Sequence, residues 1–357
     1  MKVHWHKNIE KKYSRLILVG DVGGTNTNLG LAGEDRSQIE LLLEVVFESS
    51  KVTDFTSCVR KTMETARERY PNIAFDLCCI SGAGPVKDNF CALTNQTWSI
   101  DGNDVQASLG VPTLIINDFS AISYGLPLLD VHDSTKIAVL HRPDGQEVRP
   151  NGDLRGVAGP GTGLGVGFLT KEGEHWRAFP SEGGHMDLAD FDEDSRGFKA
   201  FVQNSIGLVP EYEMAVSGMG LKNIFYYFLE AEILDKADPV VQQILQLPDT
   251  EKPAQISLHG KTHPGCRRIM ILFVKIFARL TSSICCFLLP RGGFYLAGGV
   301  TSKNLDYFTE DHLFVRTFEE HCNPNIRRVL KEIPLYVVKD YSISLYGAAN
   351  AALSLMV

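Results

Sequence analysis

Short apolar runs, each closed by glycine or a polar pair, set the rhythm of the first third of the chain. Residues 16–19, Leu-Ile-Leu-Val, form an unbroken apolar stretch that reads as a buried strand. The run breaks at Gly20-Asp21, turns through Gly23-Gly24 and resumes over 25–31 with β-branched and apolar residues, which predicts a β-hairpin. A third strand is expected over 39–47, a helix with a charged outer face over 54–70, and a buried strand over 75–80 leading into Ser81-Gly82-Ala83-Gly84-Pro85. Asp101 is placed to cap a helix that reaches 109. A strand over 112–116 then ends at Asn117-Asp118, ahead of a helical stretch over 119–129. Strand, turn and helix alternate, as in an α/β domain.

Pro127 and the polar run 130–136 mark a boundary. Beyond it, strands are expected near 137–140 and 154–158, then the turn 159–165 (Gly-Pro-Gly-Thr-Gly-Leu-Gly) and strands over 166–169 and 174–179. The loop Pro180-Ser181-Glu182-Gly183-Gly184-His185 follows. Helices dominate afterwards, over 194–206, 219–232, 238–247 and 265–289. A late strand, 294–297, meets Gly298-Gly299; 335–338 is a last strand and 343–355 a closing helix. No repeat of fixed period is present.

A chain of 357 residues is long enough for two domains with their own cores. The formal net charge of -8, with no long basic run, gives no support for a nucleic-acid or anionic-membrane partner. None of the eight cysteines falls into Cys-x-x-Cys spacing, which argues against zinc and a disulfide framework. The apolar tract 269–289 is interrupted by Lys275, Arg279 and three hydroxyl residues, which favours a buried helix over a membrane span. The start of the chain is basic and polar without an apolar core, unlike a signal peptide. A cytoplasmic protein is expected, in which the acceptor pattern Asn95-Gln96-Thr97 stays unmodified.

Four glycine-bearing turns follow four apolar strands: 20–25, 82–85, 159–165 and 298–299. Two of them join glycine pairs to threonine, which suits a triphosphate gripped from two sides. Amides of Gly23, Gly24 and Thr25 can form an anion-binding concavity, and Asp21 at the strand end suits a Mg²⁺ that keeps most of its waters. An ordinary hairpin with an aspartate at its corner fits these residues equally well. Neither turn carries the Gly-Lys-Ser/Thr triad, and position 166 is Val where the dinucleotide fingerprint needs a third glycine, so hydride transfer is disfavoured. Asn117-Asp118 lies at the C-terminal end of a strand, where α/β sheets bind ligands; Asp118 there is either a base for a hydroxyl nucleophile or the N-cap of the next helix. Glu182 and His185, on a glycine-loosened loop, offer the donor and acceptor mixture a sugar needs. A metal site there would call on Asp187 and Asp190, with no cysteine cluster to help. Glu213 reads equally as a solvated surface residue.

Taken together and in order, these segments resemble the bacterial-type glucokinases. Asp21-Val22-Gly23-Gly24-Thr25-Asn26 is similar to their first phosphate motif, Asn117-Asp118-Phe119 to their catalytic segment, and 159–165 to their second phosphate motif. Residues 182–185 resemble their sugar loop, Glu213-Met214-Ala215-Val216-Ser217-Gly218 their Glu-x-x-x-Ser-Gly segment, and 296–300 their adenosine-side glycine motif. The resemblance implies a two-domain actin-like ATPase (ribonuclease H-like) α/β fold with a cleft between a small domain, 1–129 plus 338–357, and a large one, 130–337. It implies a homodimeric enzyme of the first step of glycolysis, phosphorylating D-glucose at the 6-hydroxyl with ATP. Asp118 is then the general base, and Asn95, Asn117, Asp118, Glu182, His185 and Glu213 contact glucose. ATP falls to Gly20, Asp21, Val22, Gly23, Gly24, Thr25, Gly161, Thr162, Gly163, Gly298 and Gly299, with Asp21 reaching Mg²⁺ directly or through water. Related repressor-and-kinase families follow the sugar-loop histidine with a Cys-x-Cys-Gly zinc segment, whereas this chain has no cysteine between Cys91 and Cys266. A kinase for another hexose, or one using polyphosphate or ADP, shares every motif quoted; a non-catalytic sugar sensor or actin-like ATPase switch is the reading from another class. The polar stretch 1–14 has no counterpart in the family pattern.

Overall fold

In the computed structural model, which describes residues 1–7, 13–36, 38–94, 96–340 and 342–356, the apolar runs of the first third assemble into one mixed sheet. Its strands are β1 (Lys2–Trp5), β2 (Arg15–Val22), β3 (Asn26–Asp35), β4 (Gln38–Glu48), β5 (Leu77–Gly82) and β9 (Thr113–Asn117). The short β6 (Val86–Lys87), β7 (Phe90–Ala92) and β8 (Ser99–Asp101) make a separate sheet. The large sheet runs β1-β4-β3-β2-β5-β9, antiparallel as far as β2 and parallel across β2-β5-β9. Parallel strands are covered on both faces, which is why β2 and β5 read as unbroken apolar runs. Leu18 and Val22 pack with the helix Phe55–Arg69, while Ile17 and Val19 pack with the closing helix Ile343–Met356. That closing helix lies tightly on the helix Asp118–Gly125: a Cβ at Gly347 would sit 1.8 Å from the Ala121 carbonyl oxygen.

The N-terminal stretch that the family pattern leaves without an account supplies the edge strand of this sheet. Lys2 pairs with Val46 and Trp5 with Leu43. The Trp5 ring meets Tyr70 edge-on at 5.8 Å and lies 4.8 Å from the Arg69 guanidinium. Tyr13 lays its ring over Gly33 and donates its hydroxyl to Glu40 at 2.7 Å.

The second sheet contains β10 (Ile137–Val139), β11 (Arg155–Pro160), β12 (Leu164–Glu172), β13 (His175–Ser181), β14 (Phe294–Leu296) and β15 (Leu335–Val338), in the order β10-β15-β14-β11-β12-β13. Read inward from β13, the order β13-β12-β11-β14-β15 repeats β4-β3-β2-β5-β9 of the first sheet, again with parallel pairs across the last three strands, β11-β14-β15. This duplicated ribonuclease H-like order is the actin-like ATPase architecture. The repeat is one of topology, without a sequence period, so the chain carries no visible trace of it.

By packing, the first unit comprises Met1–Asp130, Phe168–Pro180 and Asp340–Val357, and the second Val131–Gly167 and Ser181–Lys339. The hairpin arm Phe168–Pro180, expected with the large domain, thus groups with the first unit, where Trp176 and Ala178 pack beside Tyr124 and Leu345. The helix Pro264–Leu288 is long and apolar enough to cross a membrane by length and composition, yet Phe273, Ile276 and Phe277 are fully buried in the second unit's core. Its Lys275 pairs with Asp192, and Arg279 donates to the Glu320 carbonyl, so the interrupting charges have protein partners. The stretch 299–334, for which the sequence reading names no element, folds as short helices, among them Gly299–Lys303, Leu313–Glu319 and Pro324–Lys331.

Candidate active site

In the first unit the chemistry gathers at the ends of β2, β5 and β9. Asp21 ends up beside β5, with its Oδ1 accepting from the Ser81 hydroxyl at 2.9 Å and its Oδ2 from the Ser344 hydroxyl at 2.7 Å. Burial pushes its carboxyl above the ordinary range, and the two hydroxyls counter that shift. The hairpin tip is fixed from below: Gly23 N–H donates to Asn26 O at 2.9 Å, Ser49 Oγ to Gly23 O at 2.8 Å, and Gln96 Nε2 to Gly24 O at 2.7 Å. Gly24 and Thr25 stay exposed at that tip, while the Gly23 amide is already used inside the turn. Gly20 and Val22, expected with the nucleotide, are strand residues; a Cβ at Gly20 would lie 2.8 Å from a Leu29 methyl, and Val22 is fully buried.

The question left open between Asp118 and the helix cap has a definite outcome. Asn117 is the N-cap: its Oδ1 accepts from Phe119 N–H at 2.9 Å and Ser120 N–H at 3.3 Å, and its Nδ2 donates to Gly84 O at 3.2 Å. Asp118 is therefore released from capping and enters the helix as its first residue, with Oδ1 accepting the adjacent Phe119 N–H at 2.9 Å. Burial, then the negative charge of Asp21, pushes the Asp118 carboxyl up to about 6, against the stabilising amide of Phe119.

The second unit assembles the other expected residues. β11 and β12 are joined by the turn Gly161-Thr162-Gly163, closed by Gly161 N–H to Gly163 O at 2.8 Å. The Gly161 carbonyl accepts from Gly218 N–H at 2.9 Å, which ties the turn to the first residue of the helix Gly218–Glu230. Ser217 caps that helix through Gly220 N–H at 3.0 Å, and its hydroxyl also donates to Glu213 O at 2.7 Å. Glu213 reaches back to the same turn, its Oε2 accepting Leu164 N–H at 2.7 Å; a Cβ at Gly163 would come within 2.5 Å of that oxygen. Gly298 has φ +87°, and a Cβ there would sit 2.5 Å from Pro160 O, so glycine is required for β14 to end against β11. Gly299 starts the short helix that follows.

The sugar-loop candidates lie on a 3₁₀ turn, Gly183–His185, whose Gly184 would place a Cβ 2.0 Å from Leu164 O. His185 Nε2 is 3.8 Å from Glu182 Oε2, and its Nδ1 is 3.0 Å from Glu211 Oε2. The hydrogen bond to Glu211 raises the imidazole above its ordinary value, burial opposes this, and the charges of Glu211, Glu213 and Glu182 add to the rise. Glu211 was missed from the sequence; a second acid two positions before Glu213 was the signal that could have found it. Ser81 and Ser344, the partners of Asp21, were missed as well. Asn95 lies outside the described residues.

The sequence comparisons with known proteins agree on one family. A glucokinase family profile matches residues 18–355. The glucokinase of Nostoc punctiforme is 30% identical over 354 residues, with 94% of this chain and 98% of the relative covered. That of Cronobacter sakazakii is 31% identical over 338 residues, covering 94% and 96%. Among solved structures, a glucokinase from an Antarctic psychrotroph is similar with a TM-score of 0.78 at 24% identity, covering 94% of this chain and 98% of that one. The glucokinase of Balamuthia mandrillaris, solved in complex with glucose, gives 0.75 at 22% identity over 95% and 94%. These superpositions speak for the fold, and the full-length sequence matches speak for descent: the chain belongs to the glucokinase family.

Proposed function

We propose that this protein transfers the γ-phosphoryl group of ATP to the 6-hydroxyl of D-glucose, giving glucose 6-phosphate and ADP. Asp118 carries the reading. It opens the helix that directly follows a parallel strand, Asn117 relieves it of capping, and burial with the Asp21 charge brings its carboxyl up to about 6. Such a group is mostly ionised at neutral pH and basic enough to accept a hydroxyl proton. The 6-hydroxyl oxygen attacks the γ-phosphorus, its proton passes to the Asp118 carboxylate, and ADP leaves with the electrons of the broken P–O bond. The turns at Gly23–Thr25 and Gly161–Gly163 hold the phosphates, Gly298 and Gly299 lie on the adenosine side, and Glu182, His185, Glu213 and Asn117 serve the sugar. Asn95 is kept as a further sugar contact on the resemblance alone.

Magnesium accompanying ATP supplies neutralisation of charge on the β- and γ-phosphates. Asp21 fits it: a hard oxygen donor, immobilised by two hydroxyls, at the base of a phosphate-type hairpin. Free thiols throughout support the cytoplasmic setting proposed for it, and the resemblance supports a homodimer acting at the entry to glycolysis. The test is a coupled assay of glucose 6-phosphate formation with ATP and Mg²⁺, run beside a panel of hexoses and of ADP and polyphosphate as donors. Turnover of glucose with ATP at the highest kcat/KM is expected. A higher kcat/KM for another hexose or donor reassigns the substrate, and nucleotide turnover indifferent to every sugar overturns the kinase reading.

A further inference from the structure

The glutamate that faces His185 is not the one the family pattern points to. Residues 182–188 and 210–214 are laced by backbone bonds: Leu188 N–H to Pro210 O at 2.8 Å, Tyr212 N–H to Met186 O at 3.0 Å, and an antiparallel bridge between Asp187 and Glu211. That lacing sets Glu211 Oε2 3.0 Å from His185 Nδ1. Glu213, two residues on, instead accepts Leu164 N–H beside the Gly161–Gly163 turn. One carboxylate holds the sugar-loop histidine and the other anchors the phosphate turn.

Donor atoms of His185, Glu211 and Glu213 lie within 4.8 Å of one another, a spacing that would also admit a metal ion. The hydrogen bonds speak against that use. A carboxylate at 3.0 Å from Nδ1 is best satisfied by a proton on that nitrogen, which removes it as a ligand, and a Glu213 oxygen is already committed to a backbone amide. Zinc sites also favour more than one nitrogen or sulfur donor.

We infer that Glu211 is a positioning residue for His185. It fixes the ring and holds the proton on Nδ1, so that Nε2 presents its lone pair as the acceptor of a sugar hydroxyl. The tautomer of a histidine is set by the bond its other nitrogen makes, and that bond here is to Glu211. Acting through His185, the carboxylate sets affinity for the sugar and leaves phosphoryl transfer alone. The acidic groups facing His185 are Glu182 at Nε2, Glu211 at Nδ1 and Glu213 nearby. Removing Glu211 therefore takes away the largest influence holding the imidazole pKa up, as well as the orientation. The inference rests on the proposed role of this loop in sugar binding.

The experiment uses the full chain with Glu211→Ala and Glu211→Gln, and reads two quantities. Steady-state kinetics should show KM for glucose raised roughly tenfold in Glu211→Ala, with kcat and KM for ATP changed by less than about threefold, the scale of losing one charge-assisted hydrogen bond. Glu211→Gln, whose amide oxygen can still accept from Nδ1–H, should recover most of that loss. Nitrogen-15 NMR of the His185 imidazole, assigned with His185→Asn, should show Nδ1 protonated in the neutral ring of the wild type and of Glu211→Gln. In Glu211→Ala the proton should move to Nε2. An unchanged KM for glucose in a folded Glu211→Ala overturns the inference, as does an imidazole signal identical with and without the carboxylate. If wild type neither binds nor phosphorylates glucose, the proposed function has failed instead, and the NMR comparison still decides what Glu211 does to His185.

Discussion

Replacing Asp118 by Asn should abolish catalysis and at the same time stabilise the protein, with a pH signature that follows from the environment of the carboxyl. Burial and the charge of Asp21 carry Asp118 from 3.8 to about 6 in the folded chain. A shift of that size corresponds to roughly 3 kcal/mol, at about 1.4 kcal/mol per unit, lost to folding when the group is ionised in both states. The sign is opposite to that of a carboxylate in an ion pair. Below about pH 4 the carboxyl is protonated in folded and unfolded chains alike and contributes nothing; between about 4 and 6 the folded state holds the extra proton and stability falls as pH rises; above about 6 the full destabilisation stands. Asn keeps an oxygen for the Phe119 amide and carries no charge at any pH. Thermal unfolding of Asp118→Asn and wild type should therefore differ by up to ~3 kcal/mol at about pH 7.5 in favour of the variant, and by almost nothing near pH 4. The coupled assay should show kcat down by at least about 10²-fold, the scale of general-base catalysis. In the wild type, kcat/KM should fall on an acid limb near pH 6 that the variant's residual activity lacks. A variant that is less stable than wild type at neutral pH, a stability gain equal at both pH values, or kcat within a factor of about ten of wild type would each refute the reasoning.

Three further outcomes follow from single contacts. Ser344→Ala removes the 2.7 Å hydroxyl from Asp21 Oδ2; KM for MgATP should rise several-fold with KM for glucose unchanged, and Ser344→Thr should restore it. Gly163→Ala drives a Cβ against Glu213 Oε2 and displaces it from the Leu164 amide; initial rates should show KM for ATP and for glucose rising together, because Glu213 is both the anchor of the phosphate turn and a proposed sugar contact. Gly347→Val cannot be accommodated where a Cβ would stand 1.8 Å from Ala121 O; unfolding should come several degrees earlier, reflecting about 3 kcal/mol of overpacking between the two helices.

Much of this site was legible in the chain because its glycines are doing jobs that only glycine can do. Gly163, Gly184 and Gly298 each sit where a Cβ would strike backbone or a functional carboxylate, so their placement in the sequence reports the close approaches directly. Strands β2 and β5 were equally legible, since burial on both faces leaves no polar alternation to misread. The edge strand β1 was not: Lys2-Val3-His4-Trp5 is mostly exposed and has a partner only because β4, some forty residues later, offers an open edge.

Long-range pairing of that kind also explains why the roles of paired polar residues could not be read from their order. Asn117 and Asp118 are adjacent, and either could have capped the helix; the choice is made by Gly84, whose carbonyl holds the Asn117 amide in capping position and thereby leaves Asp118 to carry a perturbed carboxyl. Glu211 and Glu213 are two apart at a 3₁₀ turn, where side chains separated by two residues diverge. The bridge from Asp187 turns the first toward His185, and the amide of Leu164 captures the second. In both pairs a residue far away in the chain takes up one member: Gly84 holds Asn117 and leaves Asp118 free of capping, and Leu164 holds Glu213 and leaves Glu211 to His185. A family motif records that an acid belongs in this segment. Which acid meets the sugar loop is fixed by the partner at the far end of each contact, the Leu164 amide for Glu213 and the His185 ring for Glu211, and neither partner can be read from the order of the two acids.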